Sequence, residues 1–328
     1  MTENGAMSAP ATMTARLERH QVVLYLAAIA AGLGAGLTFP TTAEALDVAV
    51  TPLLVALLYV TFLQVRASDL LTSLRDRRFM TAVLIINFVV APAVVAALSP
   101  LLPADDAIRV GAMLVLLSPC VDYVVVFTGL AGGDHRRLLA ATPLLLLAQM
   151  LLTPVYLTIL LGDRRSVIDP EPFLWAFLVL IVLPLASAWL TQAWAARSDT
   201  GRAAGTAAGT TMVPLMIAVL FVAVCSQVPR IDGRFGEIAG FVPVYVAFLV
   251  LMAVIGLVLA RGFRLRPKPA RAVVFSGATR NSLVVLPLAL ALPVGAELAA
   301  ATVITQTLVE LAGMVVLVWA FTCGARRR

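Results

Sequence analysis

Two short polar stretches interrupt segments that are otherwise apolar, one in each half of this 328-residue chain. The first is Ser118-Pro119-Cys120-Val121-Asp122, between apolar residues 110–117 and 124–127. The second is Ser276-Gly277-Ala278-Thr279-Arg280-Asn281-Ser282, between residues 272–275 and 283–292. Apolar runs of about 20 residues match the thickness of a bilayer, and charges or helix breakers at that depth are expensive. Only helices and closed barrels satisfy their backbone groups in lipid, and irregular backbone is tolerated there only when it lines protein or a cavity. The two interruptions therefore call for a helical bundle whose discontinuous helices face an internal polar site, the pattern of secondary-transporter binding sites.

Composition sets the same class. Hydrophobic residues are 61% of the chain, charged residues 13%, and the mean hydropathy is +0.99. A soluble domain carries about a quarter charged residues, so this is an integral membrane protein. Ten segments have the length and character of spanning helices, starting near Gln21, Leu46, Phe79, Ile108, Leu138, Phe173, Ala204, Ala239, Ala270 and Leu298. Ala43-Glu44-Ala45 has the look of a signal-peptidase site. The apolar stretch before it, 21–39, exceeds the roughly 7–15 residues of a signal h-region, and is read as the first helix. With both termini cytoplasmic, inside segments hold 18 basic residues and outside segments 5, a bias that selects this orientation. The net charge of +6 belongs to short loops and gives no reason to invoke nucleic acid. Three cysteines, Cys120, Cys225 and Cys323, define no disulfide framework.

The fold class expected is all-α integral membrane: ten transmembrane helices as two inverted five-helix repeats, with broken helices 4 and 9 crossing mid-membrane. Thr51-Pro52-Leu53-Leu54 echoes Val213-Pro214-Leu215-Met216, with the prolines 162 residues apart, and Cys120 and Ala278 in the two breaks stand 158 apart. Because five is odd, the second copy enters the membrane inverted. The domain reading is a cytoplasmic tail at 1–20, repeats at 21–162 and 163–323, and a basic C-terminus at 324–328.

Ser118, Pro119 and Gly277 are the expected helix-break residues. Pro119 removes a backbone donor and disfavours helix at the residue before it. Asp122, Arg280 and Glu310 are charges within spans, each costing roughly 2.5–3.5 kcal/mol at a helix centre if unpaired. Asp122 is expected to face Arg280 across the crossing with Glu310 behind. The two carboxylates for one arginine give either a structural ion pair or, as favoured here, an ion-coupling group that binds and releases protons. Cys120 reads equally as a soft ligand for a thiophilic metalloid or as a small buried residue. Asn87 with Pro92 adds a polar group and a kink in helix 3, and Asn281 and Ser282 complete the expected substrate-binding set with Asn87 and Cys120. An enzyme is not expected: the only histidines, His20 and His135, lie at membrane edges, and Asp122 is the single aspartate in a span. No cofactor or bound metal is expected.

Several short motifs resemble a known group. Asn87-Phe88 followed by Pro92, Pro119-Cys120 with Leu130-Ala131-Gly132-Gly133-Asp134 at the end of helix 4, and Leu308-Val309-Glu310-Leu311 in helix 10 resemble the arsenical-resistance arsenite efflux transporters. These belong with the bile acid:sodium symporters, and with riboflavin transporters, in a superfamily of ten-helix inverted-repeat carriers. The resemblance implies proton-coupled efflux of arsenite or a related metalloid across the plasma (inner) membrane, with Cys120 as the matching helix-4 cysteine. Its partners would be a metalloid or other small-molecule substrate, protons and the lipid bilayer. The sequence departs from that family in helix 9, where Thr279-Arg280-Asn281-Ser282-Leu283 replaces a paired-asparagine motif ending in an acid. Uptake of a small organic anion, bile acid:sodium symporter-like in fold and held by Arg280, is the alternative. Sodium itself fits poorly beside an arginine.

Overall fold

The computed structural model describes residues 9–63, 76–121, 123–161, 175, 178–229, 235–290, 292 and 295–326. Among the described residues every regular element is a helix, and the only β pairing is an isolated antiparallel bridge between Pro119 and Arg280. In chain order the helices are α1 (Ala9–Thr38), α2 (Pro40–Ala45), α3 (Asp47–Leu63), α4 (Arg77–Ile85), α5 (Ala91–Leu98), α6 (Asp106–Leu117), α7 (Tyr123–Leu130), α8 (His135–Leu161), α9 (Leu183–Ala195), α10 (Asp199–Thr210), α11 (Met212–Gln227), α12 (Phe235–Gly262), α13 (Pro267–Ala278), α14 (Ser282–Leu290) and α15 (Ala296–Arg326).

Helix lies at or beside each described segment start read from the sequence. By length and apolar composition alone, four of the described helical stretches can each cross a bilayer: Arg77–Leu101, Leu144–Leu161, Gly240–Gly262 and Glu297–Thr322. The pair Asp199–Thr210 and Met212–Ser226, bent by 42°, makes a fifth if taken as one span. α6 with α7, and α13 with α14, are each shorter pieces separated by unwound residues.

The chain divides into two compact units, one from residues 1–64 and 180–230, the other from 65–179 and 231–328. The units are not the sequence halves 21–162 and 163–323: each takes helices from both.

In the first unit, α1 and α11 approach closely along a seam of small residues. A Cβ at Gly32 would lie 2.8 Å from the Phe221 carbonyl, and one at Gly36 would lie 2.7 Å from that of Cys225. Such close backbone approach through small-xxx-small spacing is a common mode of helix association in lipid. Tyr59 and Thr191 share a hydrogen bond at 2.9 Å, and Gln192 Nε2 donates to the carbonyls of Phe62 (3.3 Å) and Leu63 (3.1 Å) at the end of α3. Those carbonyls lie in the last described turn of α3, where the side chain supplies them with a donor.

The second unit contains every candidate site residue that the structure describes. α4 begins at Asp76, whose Oδ1 accepts from Phe79 N (3.2 Å), and α6 begins at Asp105, whose Oδ1 accepts from Ala107 N and Ile108 N (2.9 and 3.1 Å). Both are side-chain N-caps that satisfy orphan amides of the first turn. Between α4 and α5 one π-helical turn, Ile86–Val90, carries Asn87. Its cause lies just downstream. Pro92 has no N–H for the Phe88 carbonyl four residues earlier, and Tyr156 Oη on α8 donates to that carbonyl at 2.6 Å. The wider turn is of the kind often found at functional sites, and Asn87 Nδ2 also bonds back to Val83 O (2.9 Å).

The crossing is built on glycines. A Cβ on Gly111 of α6 would stand 2.7 Å from Ala299 O and 2.8 Å from its Cα, so α6 rests directly on the α15 backbone. Gly256 of α12 faces Val274 Cα of α13, where a Cβ would sit at 3.1 Å. Gly277 would place a Cβ 2.5 Å from Ile86 Cγ1. Although read from sequence as a break residue, Gly277 lies inside α13, one position before its end. Its missing side chain admits Ile86 rather than unwinding the helix.

Candidate functional site: the crossing of two unwound stretches

α6 ends at Leu117 because Pro119 forces the preceding residue out of the helical region. Ser118 is extended, at φ −100° and ψ 108°. α13 ends at Ala278 with Thr279 in nearly the same conformation, φ −99° and ψ 143°, though no proline follows it. What holds Thr279 extended is its partner. Cys120 N donates to Thr279 O (3.3 Å), and Asn281 N donates to Ser118 O (2.7 Å). Each C-terminal hydroxyl also bonds back one turn, Ser118 Oγ to Leu114 O (2.9 Å) and Thr279 Oγ1 to Phe275 O (2.7 Å). The pattern has a local twofold character. Ser118 and Thr279 are 161 residues apart, as are Cys120 and Asn281. That spacing is close to the 162 of the proline echo and replaces the 158 taken from Cys120 and Ala278.

In this register Pro119 is the counterpart of Arg280, the residue it bridges. The peptide groups of a bridged pair that do not bond across the bridge point outward and need other partners. Pro119 has no N–H to satisfy. Arg280 has one, and it donates to Glu310 Oε2 at 2.7 Å. Glu310 Oε2 also accepts from Gln306 Nε2, one turn earlier on α15, and Oε1 accepts from Tyr123 Oη at 2.7 Å. The same hydroxyl lies 3.1 Å from Arg280 O. Glu310 and Tyr123 thus hold both ends of the Arg280 peptide.

Of the expected charge cluster the described residues contain Arg280 and Glu310. The Glu310 carboxylate holds the arginine's backbone, and among the described residues no carboxylate forms an ion pair with its guanidinium. Arg280 is instead surrounded by neutral oxygens. Nη1 donates to Leu116 O (3.3 Å), and Nη2 to Asn87 Oδ1 (3.1 Å), Ser276 O (3.4 Å) and Gly277 O. Asn87 Nδ2 donates to Ser276 Oγ (2.8 Å), which fixes the amide with its oxygen toward the arginine. The ring of Phe248 on α12 lies under the guanidinium, 5.2 Å from centroid to Cζ, an attractive cation–π arrangement when desolvated. Asp122, read as the facing carboxylate, lies outside the described residues.

Arg280 is fully buried. Four buried polar atoms at the crossing and one turn from it lack a hydrogen-bond partner among the described residues: Arg280 Nε, Asn281 Nδ2, Ser282 Oγ and Gln306 Oε1. Asn281 Oδ1 is engaged as the N-cap of α14, accepting from Val284 N (3.3 Å), so its amide nitrogen is the end left over. Buried polar groups are satisfied in the great majority of cases, and here three consecutive residues, Arg280, Asn281 and Ser282, each carry an unpartnered polar atom among the described residues. Cys120 is buried beside them, in the same bridge.

The structure therefore brings together Asn87, Ser118, Pro119, Cys120, Arg280, Asn281, Ser282 and Glu310. Sequence reasoning placed Ser276 and Thr279 in the second polar stretch without giving them a role, and missed Tyr123, Gln306 and Phe248 as parts of the site. Gln306 had a signal, standing four residues before Glu310 and so on the same helix face. Tyr123 adjoins the first break. Phe248 had none. Among the described residues no group of three or more His, Cys, Asp or Glu side chains could hold a metal ion.

Helices throughout the described residues, several apolar and long enough to span a bilayer, with two unwound stretches meeting around buried polar groups, make up the architecture of a multi-pass membrane protein. The chain belongs to the SBF-like CPA transporter family, whose model matches residues 22–316. The match is to a bile acid:sodium symporter-like family of secondary transporters and leaves the arsenite branch a resemblance of motifs. The curated proteins contain no match to the chain.

Proposed function

We propose that this protein is a secondary active carrier of a small organic anion, with ten crossings arranged as two inverted five-helix repeats in the plasma (inner) membrane and both termini cytoplasmic. The observation that carries the reading is Arg280: a buried guanidinium with no ion-pair partner among the described residues and a vacant Nε–H. A buried charge without an ion-pair partner is costly, and an anionic solute docking there would supply one. Asn281 and Ser282 lie at the N-terminal start of α14, where the helix dipole and unpaired amides favour negative charge. Their vacant Nδ2 and Oγ supply hydrogen bonds to the carboxylate, sulfonate or similar head group of the anion. Glu310, gripping the Arg280 peptide, is the proposed ion-coupling group, and Asp122 beside the first break is proposed to share that role. Protonating Glu310 would weaken that grip and free the crossing to rearrange.

The test is uptake into proteoliposomes of a panel of small carboxylates and sulfonates under a pH gradient. Arg280→Ala should abolish transport of the accepted anion, and Cys120→Ser should leave it within about twofold. If anion uptake survives Arg280→Ala in folded protein, the reading is wrong.

Proton-coupled arsenite efflux is the second reading, favoured by the placement of Cys120 inside the bridge. It predicts the reverse dependence: metalloid tolerance conferred on a sensitive host should disappear in Cys120→Ser. It has one thiol at the site to work with, whereas the anion reading has a cation and three vacant polar groups.

A further inference from the structure

The oxygens around Arg280 have a common origin. Leu116 O belongs to the last turn of α6, and Ser276 O and Gly277 O to the last turn of α13. These are the carbonyl ends of two half-helices, the negative poles of their dipoles, and Asn87 Oδ1 adds a fourth neutral oxygen. Unwound carbonyls and half-helix C-terminal ends are what secondary transporters use to coordinate a monovalent coupling cation. Here the shell is complete but a side chain of the protein fills it. The filling is specific in shape, since a planar guanidinium spreads its N–H groups over several acceptors where an ammonium offers a point charge. Its other face is covered by Phe248.

We infer that Arg280 is a tethered cation, occupying the carbonyl-lined shell at the crossing that would otherwise receive a coupling ion such as sodium, and that the carrier consequently works without sodium. The shell consists of neutral dipoles, with the Glu310 carboxylate turned to the backbone of the same residue. A second cation within about 4 Å of the guanidinium would therefore meet repulsion worth on the order of a thousandfold in affinity. The positive charge is fixed in the protein, so nothing needs to be bound from solution to prepare the crossing for an anion. The inference stands on the oxygen shell alone and does not need the anion reading to be correct.

Removing the side chain should uncover the site. Purified protein in detergent is unfolded thermally in sodium chloride, potassium chloride and choline chloride at equal ionic strength, and in choline chloride with millimolar guanidinium. Wild type and Arg280→Lys, which keeps a fixed charge, should unfold at the same temperature in all of them. Arg280→Ala and Arg280→Gln should each gain a rise of about 5 °C or more in saturating sodium relative to choline, and Arg280→Ala should gain a similar rise with guanidinium. Binding of radioactive sodium should appear in the two neutral variants and not in wild type. Sodium-dependent stabilisation of wild type would overturn the inference, as would folded neutral variants indifferent to both sodium and guanidinium. If neither neutral variant can be purified, wild type alone decides: indifference to sodium supports the tethered cation and a sodium-dependent shift refutes it. Loss of anion transport with the cation responses intact would reject only the proposed substrate.

Discussion

Glutamine and alanine at position 310 should behave very differently, and the difference can be worked from the hydrogen bonds. In wild type the carboxylate takes three donors: Tyr123 Oη at 2.7 Å, Arg280 N at 2.7 Å, and Gln306 Nε2. Alanine leaves Arg280 N–H and Gln306 Nε2 stranded in a buried site, while Tyr123 can turn its proton to Arg280 O at 3.1 Å. Two stranded donors at about 1–3 kcal/mol each give a loss of roughly 2–6 kcal/mol. Glutamine has a way out. With its oxygen toward Arg280 N and Gln306, its NH2 group donates to the Tyr123 oxygen, and the tyrosine proton again turns to Arg280 O. Each of the three wild-type donors keeps an acceptor, and one N–H of the new amide gains one. The cost is the charge assistance, which roughly doubles the strength of such bonds, so about 1–2 kcal/mol is lost. The assay is thermal unfolding in detergent, followed by a dye that reacts with the buried thiols Cys120 and Cys225 as they become exposed. At a few degrees per kcal/mol, Glu310→Ala should fall by about 5–20 °C and Glu310→Gln by under about 5 °C. Equal falls would mean that the charge, not the hydrogen-bond latch, is what Glu310 contributes. No fall in either would remove the latch altogether.

Other perturbations follow from the same geometry. Tyr156→Phe strands the Phe88 carbonyl that Pro92 leaves without a helical donor, and should cost about 1–2 kcal/mol in the same unfolding assay while leaving substrate affinity unchanged. Gly111→Ala forces a Cβ to within 2.7 Å of the Ala299 backbone, so α6 must back away from α15. We expect overpacking of about 1–3 kcal/mol and a marked loss of transport, because α6 carries the first break. Gly277→Ala meets the side chain of Ile86 at 2.5 Å, and pairing it with Ile86→Ala should restore much of the lost stability, whereas a break-forming glycine would not be rescued that way. The exposed ion pair of Arg137 with Asp76 and Asp134 should matter little. Asp134→Asn is expected to change stability by less than about 1 kcal/mol.

The sequence alone determined that this is a helical membrane protein with two interrupted segments and a handful of charges that must be inside it. Those conclusions follow from chain-local quantities: run length against bilayer thickness, the insertion cost of Arg280 and Glu310, and the backbone restriction that Pro119 places on Ser118. It also placed Asn87, Cys120, Arg280, Asn281, Ser282 and Glu310 at one site, because each is a polar residue that apolar surroundings would reject without partners. Which atom of which residue faces which partner was not legible. Glu310 was expected to stand behind an Asp122–Arg280 pair and instead holds the peptide N–H of Arg280, since an antiparallel bridge turns that free amide toward α15. Gly277 looked like a helix breaker, yet it is a contact point for Ile86, a residue far away in the chain. Thr279 is extended without any local cause, held by hydrogen bonds from the other break. These are decisions of tertiary structure for one physical reason: buried backbone groups must find partners, and in an unwound stretch those partners come from whichever segment folds against it.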